Sequence, residues 1–279
     1  MTKAAGQGSF ETAEAIAAPR LRPIVARYGA YRARAADLGT MRGFPSRYVT
    51  LMVGLGSPFQ VAGAGSFTSF VAGLHEHAVS VESTGIVAGI HLFLEPLAAR
   101  AILGCPASAL ANGVFSLADV IGARTAAELH ERLHEARSWG ECFAVLDGVL
   151  QGKLVDSAPS REVGYAWTRI TADQGRGRME ALAARIGWSR RHLSERFREE
   201  VGIGPKTLAR IARFEHACSL LRYGPHDLAD AAIRAGYHDQ AHMTHEWQAL
   251  AGCTPTTWIA QELPYLQDYE FVPVDADAG

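Results

Sequence analysis

The sequence predicts two domains: an N-terminal α+β domain, made of a small sheet or barrel followed by helices, and a C-terminal all-α domain. The length of 279 residues suits two domains of ordinary size. Between residues 45 and 94, segments rich in β-branched and aromatic residues alternate with Gly, Ser and Pro. After Pro96 the apolar residues recur at helical spacing, and residues 165–262 contain no convincing strand pattern.

A linker-like stretch, residues 152–164, separates the two patterns and contains Gly, Pro and Ser. We therefore expect domains at residues 1–155 and 156–262. Residues 263–279 form an acidic tail, with four acidic residues and no lysine or arginine.

The composition favours a cytoplasmic protein. Apolar residues make up 48% of the chain and charged residues 20%, so both halves can build cores. The first twenty residues lack the apolar core of a signal peptide, and no run of about 18 apolar residues predicts a membrane span. The four cysteines are scattered without a CxxC pair, which indicates reduced thiols rather than a disulfide framework or a zinc site.

Strand patterns in the N-terminal half occur in SRYVTLMV, SFTSFVAG, AVSVE and GIVAGIHLFL. The stretch FLEPLAARAILG predicts a strand that runs into a helix. A hydroxyl followed three residues later by an acid predicts helix starts at Ser116, Thr125 and Ser138. Glu128 and Arg132 form a favourable i,i+4 pair. The apolar residues at helical spacing around them are Leu129, Leu133 and Ala136.

Candidate metal ligands occur in LHEHAVSVE, namely His75, His77 and Glu82. In a strand, His75 and His77 would point to one side, and the spacing resembles the first metal motif of cupins. The second cupin motif is missing, and Ser69 stands where the first motif has a glycine. We therefore expect no metal ion and no cofactor, with the histidines at the surface or partly buried.

The C-terminal half contains an internal repeat of about 50 residues. LAARIG, residues 182–187, aligns with AAIRAG, residues 231–236. HLSERF, residues 192–197, aligns with HMTHEW, residues 242–247. Each copy has a short amphipathic helix, a glycine, a turn and a second helix, which predicts two helix-turn-helix units.

The second helix of each copy begins after a good N-cap, Ser189 or Asp239, and we place these helices at about 189–201 and 239–251. The inward-facing apolar residues are Leu193, Phe197, Met243 and Trp247. Residues 204–225, between the copies, predict one linker helix of about 18 residues, roughly 27 Å long. A strut of that length could set the two helices about one DNA turn, 34 Å, apart.

The outer faces of these two helices carry side chains that can read base edges in a major groove. The candidate base contacts are Arg191, Ser194, Glu195, Gln240, Ala241, Thr244 and His245. Residues 185–213 carry eight basic residues against three acids, whereas residues 227–258 carry one arginine against four acids, Glu246 among them. The four acids of the second copy, Asp227, Asp230, Asp239 and Glu246, should oppose the approach of the DNA backbone, so the phosphate contacts should come mainly from the first copy. The candidates are Arg185, Arg190, Arg196, Arg198, Lys206 and Arg210, with Arg234 in the second copy.

The stretch DLADAAIRAGYHDQAHMTHEWQALAGCTPTTW resembles the AraC/XylS family of bacterial transcription regulators, and the resemblance extends over about 165–260. The matching features are the Ala-Gly-aromatic turn, Asp239-Gln240, the His-Met-Thr core, Trp247 and the spacing Gly252-x-x-Pro255-x-x-Trp258. The resemblance implies that both units bind double-stranded promoter DNA. It also implies an N-terminal domain that senses a small-molecule effector or dimerises. RNA polymerase and a second copy of the chain are further candidate partners.

The N-terminal half is similar to an uncharacterised sensor-type domain attached to a subset of these regulators, through GIHLFLEPLAARAILGCP and ANGVFSLADVIG.

The main rival function is a repair-type methyl acceptor fused to the same DNA-binding half. Cys105 lies in GCPAS without a neighbouring histidine or basic residue to make a thiolate. No Ser-His-Asp, paired-carboxylate or Walker spacing stands out, so we expect no enzyme and no catalytic residue. A purely structural DNA-binding protein would need neither two reading faces nor a separate α+β half.

Overall fold

The computed structural model describes residues 11–34, 41–224 and 227–261; the predicted acidic tail lies outside these residues. Strands occur in the N-terminal half of the described chain, and residues 161–261, as far as they are described, are helical. This arrangement confirms the predicted fold class. Among the described helices, none combines the length and the apolar character that a bilayer crossing requires.

The strands of the described residues form two antiparallel sheets. One sheet has six strands in the order β1-β2-β9-β4-β7-β10, and the other has four in the order β3-β8-β5-β6. The strands are β1 (Glu11–Ala15), β2 (Val25–Arg34), β3 (Met41–Gly43), β4 (Val49–Gly54), β5 (Phe59–Val61), β6 (Gly65–Phe67), β7 (Ser69–Ala72), β8 (Val79–Ser83), β9 (Ile86–Leu94) and β10 (Val114–Ser116).

The two-residue period of the strands sends side chains from the six-stranded sheet into two separate cores. Leu51 on β4 lies opposite Leu92 on β9, and both belong to the large core that the helices cover. Met52, the next residue on β4, belongs instead to a smaller core with Phe59 and Phe70. The four-stranded sheet supplies Phe59, so the smaller core lies between the two sheets.

One α-helix, α1 (Ala99–Leu103), lies between β9 and β10, and three follow β10: α2 (Leu117–Ile121), α3 (Ala123–Glu135) and α4 (Trp139–Lys153). Ser116 caps α2 and Ser138 caps α4, as the sequence predicts. The predicted start at Thr125 is wrong, because α3 begins two residues earlier after Gly122. Glu128 forms its ion pair with Arg124 at 3.7 Å, one turn before it, and not the predicted pair with Arg132.

The C-terminal domain contains α5 (Arg161–Ala172), α6 (Met179–Arg185), α7 (Arg190–Val201), α8 (Pro205–Tyr223), α9 (Leu228–Ala235), α10 (Gln240–Ala251) and α11 (Pro255–Gln261). The bounds of α7, α8 and α10 agree with the predicted second helices and linker helix to within one or two residues. We call α7 and α10 the reading helices and α8 the strut. The strut has 19 residues, which makes it about 28 Å long.

The sequence interpretation missed the start of the sheet. It placed the first strand near residue 45, whereas β1, β2 and β3 all precede that point. β2 is ten residues long and pairs with both β1 and β9, so it lies inside the six-stranded sheet. Its sequence, VARYGAYRAR, is rich in arginine and alanine, which hides the strand pattern.

Candidate nucleic-acid interface

Two helix-turn-helix units lie on either side of the strut: α6 with α7, and α9 with α10. The Ser189 hydroxyl accepts a hydrogen bond from the His192 amide at 3.1 Å, and Asp239 accepts one from the His242 amide at 2.7 Å. That amide bond is the main reason why the pKa of Asp239 lies below its usual range. Both predicted N-caps are thereby confirmed.

The two reading helices bury and expose equivalent positions. Aligned at an offset of 50 residues, α7 and α10 agree in exposure class at every position except one, where Glu200 is half-buried and Leu250 is buried. The inward-facing residues predicted from the sequence, Leu193, Phe197, Met243 and Trp247, are all at most 1% exposed. Each unit therefore exposes the same helix positions on its outer face.

The candidate base contacts lie on these outer faces. In α7, Arg191 and Glu195 are exposed and Ser194 is half-buried, and Arg191 Nε donates to Glu195 Oε1 at 2.7 Å. In α10 the candidates share one open surface cleft, whose walls are formed by Gln240, Ala241, Thr244, His245, Gln248 and Ala249. The structure thus brings each predicted set together on the outer face of its own helix.

The candidate phosphate contacts fall into three groups. Arg185, Arg198 and Lys206 are exposed and form no ion pair within the described part of the chain. A second group makes ion pairs inside its own helix-turn-helix unit: Arg190 with Glu180, Arg196 with Glu199 and Glu200, and Arg234 with Asp230. The third group is Arg210 alone.

The half-buried side chain of Arg210 is held in an ion pair within the domain. Its Nε lies 3.0 Å from Glu246 Oε1, and the two side chains are 30% and 14% exposed. We therefore leave Arg210 out of the proposed phosphate contacts. The expectation that Glu246 opposes the DNA backbone is also wrong, because its carboxylate is largely buried and is paired with arginines of the strut. Sequence reasoning missed Arg178, an exposed cation at the start of α6.

The candidate metal ligands do not converge. His75 and His77 lie in the loop between β7 and β8, not in a strand as expected. The His75 ring bonds the Gly73 carbonyl at 2.7 Å, and the His77 ring bonds the Ala249 carbonyl at 2.9 Å. Glu82 is an exposed residue of β8. Among the described residues, no three His, Cys, Asp or Glu side chains are grouped as a metal site requires.

A cavity of about 260 Å³ lies between the two sheets of the N-terminal domain. Its lining is mainly apolar and aromatic, and it includes Met41, Phe44, Met52, Phe59, Phe70 and Val81. The half-buried ring of His91 also lines it, and loss of solvent around the ring lowers the pKa of His91 to about 4, so that this ring is neutral at pH 7. The cavity therefore suits a small and largely apolar molecule.

The sheet domain contacts both reading helices and the strut. The Ala78 amide donates to the Leu250 carbonyl at 2.7 Å, near the end of α10. The Ser108 hydroxyl donates to the Glu199 carbonyl at 2.7 Å, near the end of α7. On the strut, Glu215 accepts a bond from the Arg47 amide at 3.0 Å.

Comparison with known proteins finds a known type of domain in the C-terminal half. Residues 182–261 match the family model described as a helix-turn-helix domain. An uncharacterised HTH-type transcriptional regulator of Staphylococcus aureus is 32% identical over 77 residues, which are 28% of this chain and 10% of that protein. The regulator YbfI of Bacillus subtilis is 37% identical over 62 residues, 22% of each chain. The chain thus spans only a small part of the length of these relatives.

Most of the chain is similar in fold to a solved protein. ToxT from Vibrio cholerae superposes with a TM-score of 0.51 at 12% identity, over 91% of this chain and 98% of ToxT. A second ToxT structure, in the apo state, gives a TM-score of 0.51 at 10% identity, over 80% and 93% of the two chains. Residues 182–261 therefore form a helix-turn-helix domain by their match to the family model, and the chain shares with ToxT a fold in which a sheet domain precedes the two helix-turn-helix units.

Proposed function

We propose that the chain recognises one specific promoter site by placing α7 and α10 in adjacent major grooves of double-stranded DNA. The matched exposure of the two reading helices carries this proposal, because equivalent outer faces on one strut suit two successive grooves. Base contacts come from Arg191, Ser194 and Glu195 of α7. In α10 they come from Gln240, Ala241, Thr244 and His245.

Phosphate contacts fix the position of the units on the duplex without reading sequence. Arg185, Arg198 and Lys206 are exposed and carry no ion pair among the described residues, so they are free to meet phosphates. The exposed pairs of Arg190 and Arg234 contribute little to stability, so DNA can replace their acidic partners. Arg196, half-buried beside Glu199 and Glu200, completes the proposed set.

We further propose that a small molecule in the cavity modulates DNA binding. His75 and Val79 line the cavity, and Ala78, which lies between them, bonds the end of α10. Ser46 and Tyr48 also line the cavity, and Arg47 between them contacts the strut. A ligand that moved either segment of the lining would therefore move a segment already in contact with the DNA-binding domain.

Selection of the bound sequence from random DNA, followed by footprinting, tests the first part. The proposal requires a selected motif with two half-sites about one helical turn apart. A motif with a single half-site, or binding without sequence preference, would contradict it. For the second part, Val81→Trp should fill the cavity and abolish the response of DNA binding to any ligand identified by a thermal-shift screen, while DNA binding itself persists.

The rival function of a methyl acceptor is not favoured. It needs a thiolate, and burial raises the pKa of Cys105, with only partial opposition from Arg100. Burial also raises the pKa of Cys142 and Cys218. Contact with RNA polymerase and self-association through the N-terminal domain remain predictions from the family.

A further inference from the structure

An acidic residue of the second reading helix lies between two arginines of the strut. Glu246 Oε1 lies 3.0 Å from Arg210 Nε, and Glu246 Oε2 lies 3.2 Å from Arg213 Nη2. The three side chains are 14%, 30% and 19% exposed, in the order Glu246, Arg210, Arg213. We call this group the Glu246 clamp, and both carboxylate oxygens take part in it.

The clamp also reaches the turn that leads into the first unit. Arg213 Nη1 donates to the Gly175 carbonyl at 3.0 Å, and its guanidinium lies 5.6 Å from the ring centre of Tyr237, just after α9. Gly175 has φ +72°, and a Cβ there would lie 1.9 Å from the Ala209 carbonyl oxygen, so this turn packs directly on the strut. The Arg213 guanidinium thus connects the second unit with the turn that precedes the first unit.

The first unit has no counterpart of the clamp. In the repeat, Glu246 occupies the register of Arg196, and both residues are half-buried. Arg196 pairs with Glu199 and Glu200, which lie on its own helix. The charge at this position is therefore reversed, and among the described ion pairs it is the residue of the second copy, Glu246, that pairs with the strut.

Apolar packing holds α10 against the strut in addition to the clamp. The rings of Trp247 and Phe214 are 4.8 Å apart, edge to face, and Trp247 is fully buried. Dispersion and apolar burial are not directional, whereas a carboxylate that bonds two guanidinium groups has a defined geometry. The ring contact can therefore keep the second unit folded, while the clamp fixes its angle to the strut.

We infer that the Glu246 clamp sets the separation of the two half-sites that the chain accepts. This inference rests on the proposed function, because it concerns how two reading helices are placed. Moving one half-site by a single base pair turns it by about 35° around the duplex axis and shifts it by about 3.4 Å. A clamped α10 cannot follow that displacement, and a freed α10 can follow part of it.

The experiment measures binding of the full chain to a panel of the selected site, with its spacer shortened or lengthened by one or two base pairs. Wild type should prefer one spacer by about tenfold or more, and Glu246→Gln should reduce the preference to about threefold or less. Glu128→Ala is the matched control, because it breaks an exposed ion pair in the N-terminal domain. Its spacer profile should match that of wild type.

Thermal unfolding of each variant accompanies the binding curves. If Glu246→Gln does not fold, Arg213→Lys gives the second test, because it keeps the charge but loses the forked geometry. A variant that binds more weakly at every spacer while it keeps the wild-type preference overturns the inference. Wild type that shows no two-part site overturns the proposed function instead, so the two failures are distinguishable.

Discussion

Arg47 of the sheet domain and Glu215 of the strut form an ion pair across the boundary between the two domains. Arg47 Nε lies 3.5 Å from Glu215 Oε2, and the side chains are 25% and 18% exposed. Burial raises the pKa of Glu215, and the Arg47 guanidinium opposes that rise. Beside the pair, Phe44 packs on Phe214 of the strut, with ring centres 6.2 Å apart. The domains are therefore joined by a charge pair and an aromatic contact at one place.

Arg47→Ala should destabilise the chain by about 2 kcal/mol, since it leaves the Glu215 carboxylate largely buried without its partner. The expected loss is below the 3–5 kcal/mol of a fully buried pair because both side chains retain some solvent contact. Chemical unfolding of Arg47→Ala, Glu215→Gln and the double variant measures the coupling. If the two single effects simply add, the pair does not join the domains energetically.

The free energy of unfolding should fall as the pH is lowered below 6.5, because His91 is kept neutral in the folded chain. Burial, reinforced by the nearby Arg27, lowers the pKa of His91 from 6.5 to about 4 in the folded chain. Below pH 6.5 the unfolded chain binds a proton that the folded chain excludes. The free energy of unfolding therefore drops by up to about 1.4 kcal/mol per pH unit until the pH reaches about 4.

The measurement compares His91→Phe with wild type in denaturant titrations between pH 4 and pH 7. Burial also lowers the pKa of His75, His130 and His216, so the wild-type slope contains several contributions of the same sign. The difference between the two proteins isolates His91. Equal slopes for both would mean that the ring is already protonated, or exposed, in the folded chain.

Base specificity in the first half-site should depend on Arg191. The side chain is 88% exposed, and Glu195 one turn later orients it. A guanidinium that pairs bidentately with guanine contributes about 1–3 kcal/mol of discrimination. Arg191→Lys keeps the charge without the fork, so it should bind DNA at nearly wild-type strength while base preference relaxes at one or two positions. If the DNA motif selected by Arg191→Lys has the same information content as the wild-type motif, Arg191 does not read bases.

The C-terminal domain could be predicted because its signals are local. Ser189 and Asp239 cap the helices that follow them by accepting bonds from amides three residues later. The repeat also shows which positions face inward. The sheet could not be predicted in the same way, because β2 is defined by pairing with β9, some sixty residues later. No pattern within VARYGAYRAR indicates that partner.

The environment of Glu246 was misjudged for a similar reason. Its partners, Arg210 and Arg213, lie 36 and 33 residues away in the sequence, so only the tertiary packing of α10 on the strut brings them together. A signal was nevertheless present in the repeat. Glu246 stands at the register of Arg196, and a reversed charge at one half-buried position of two aligned helices indicates a different partner.

The two reading helices should divide affinity and specificity between them. Each neutralised phosphate steepens the log–log dependence of binding on salt by about 0.9. Arg198→Ala should therefore weaken binding to all DNA and flatten the slope by up to about one unit. The double variant Gln240→Ala with His245→Ala removes no fixed positive charge, so it should leave the slope nearly intact and erode preference for one half-site. If Arg198→Ala and the double variant reduce the salt slope equally, the two reading helices do not divide affinity and specificity in this way.

A substitution in the opposite direction tests the same difference, because it adds a positive charge to the second reading helix. The exposed arginines of α7 at positions 190, 191 and 198 correspond to Gln240, Ala241 and Gln248 of α10. Because Gln248 has the register and exposure of Arg198, Gln248→Arg should give the second unit the phosphate contact of the first. Salt titration should then show a slope steeper by about 0.9 and tighter binding to specific and random DNA alike. Gln248→Leu, matched in size but uncharged, should leave the slope unchanged. If Gln248→Arg does the same, then α10 does not approach the backbone as α7 does, and the two units do not dock equivalently.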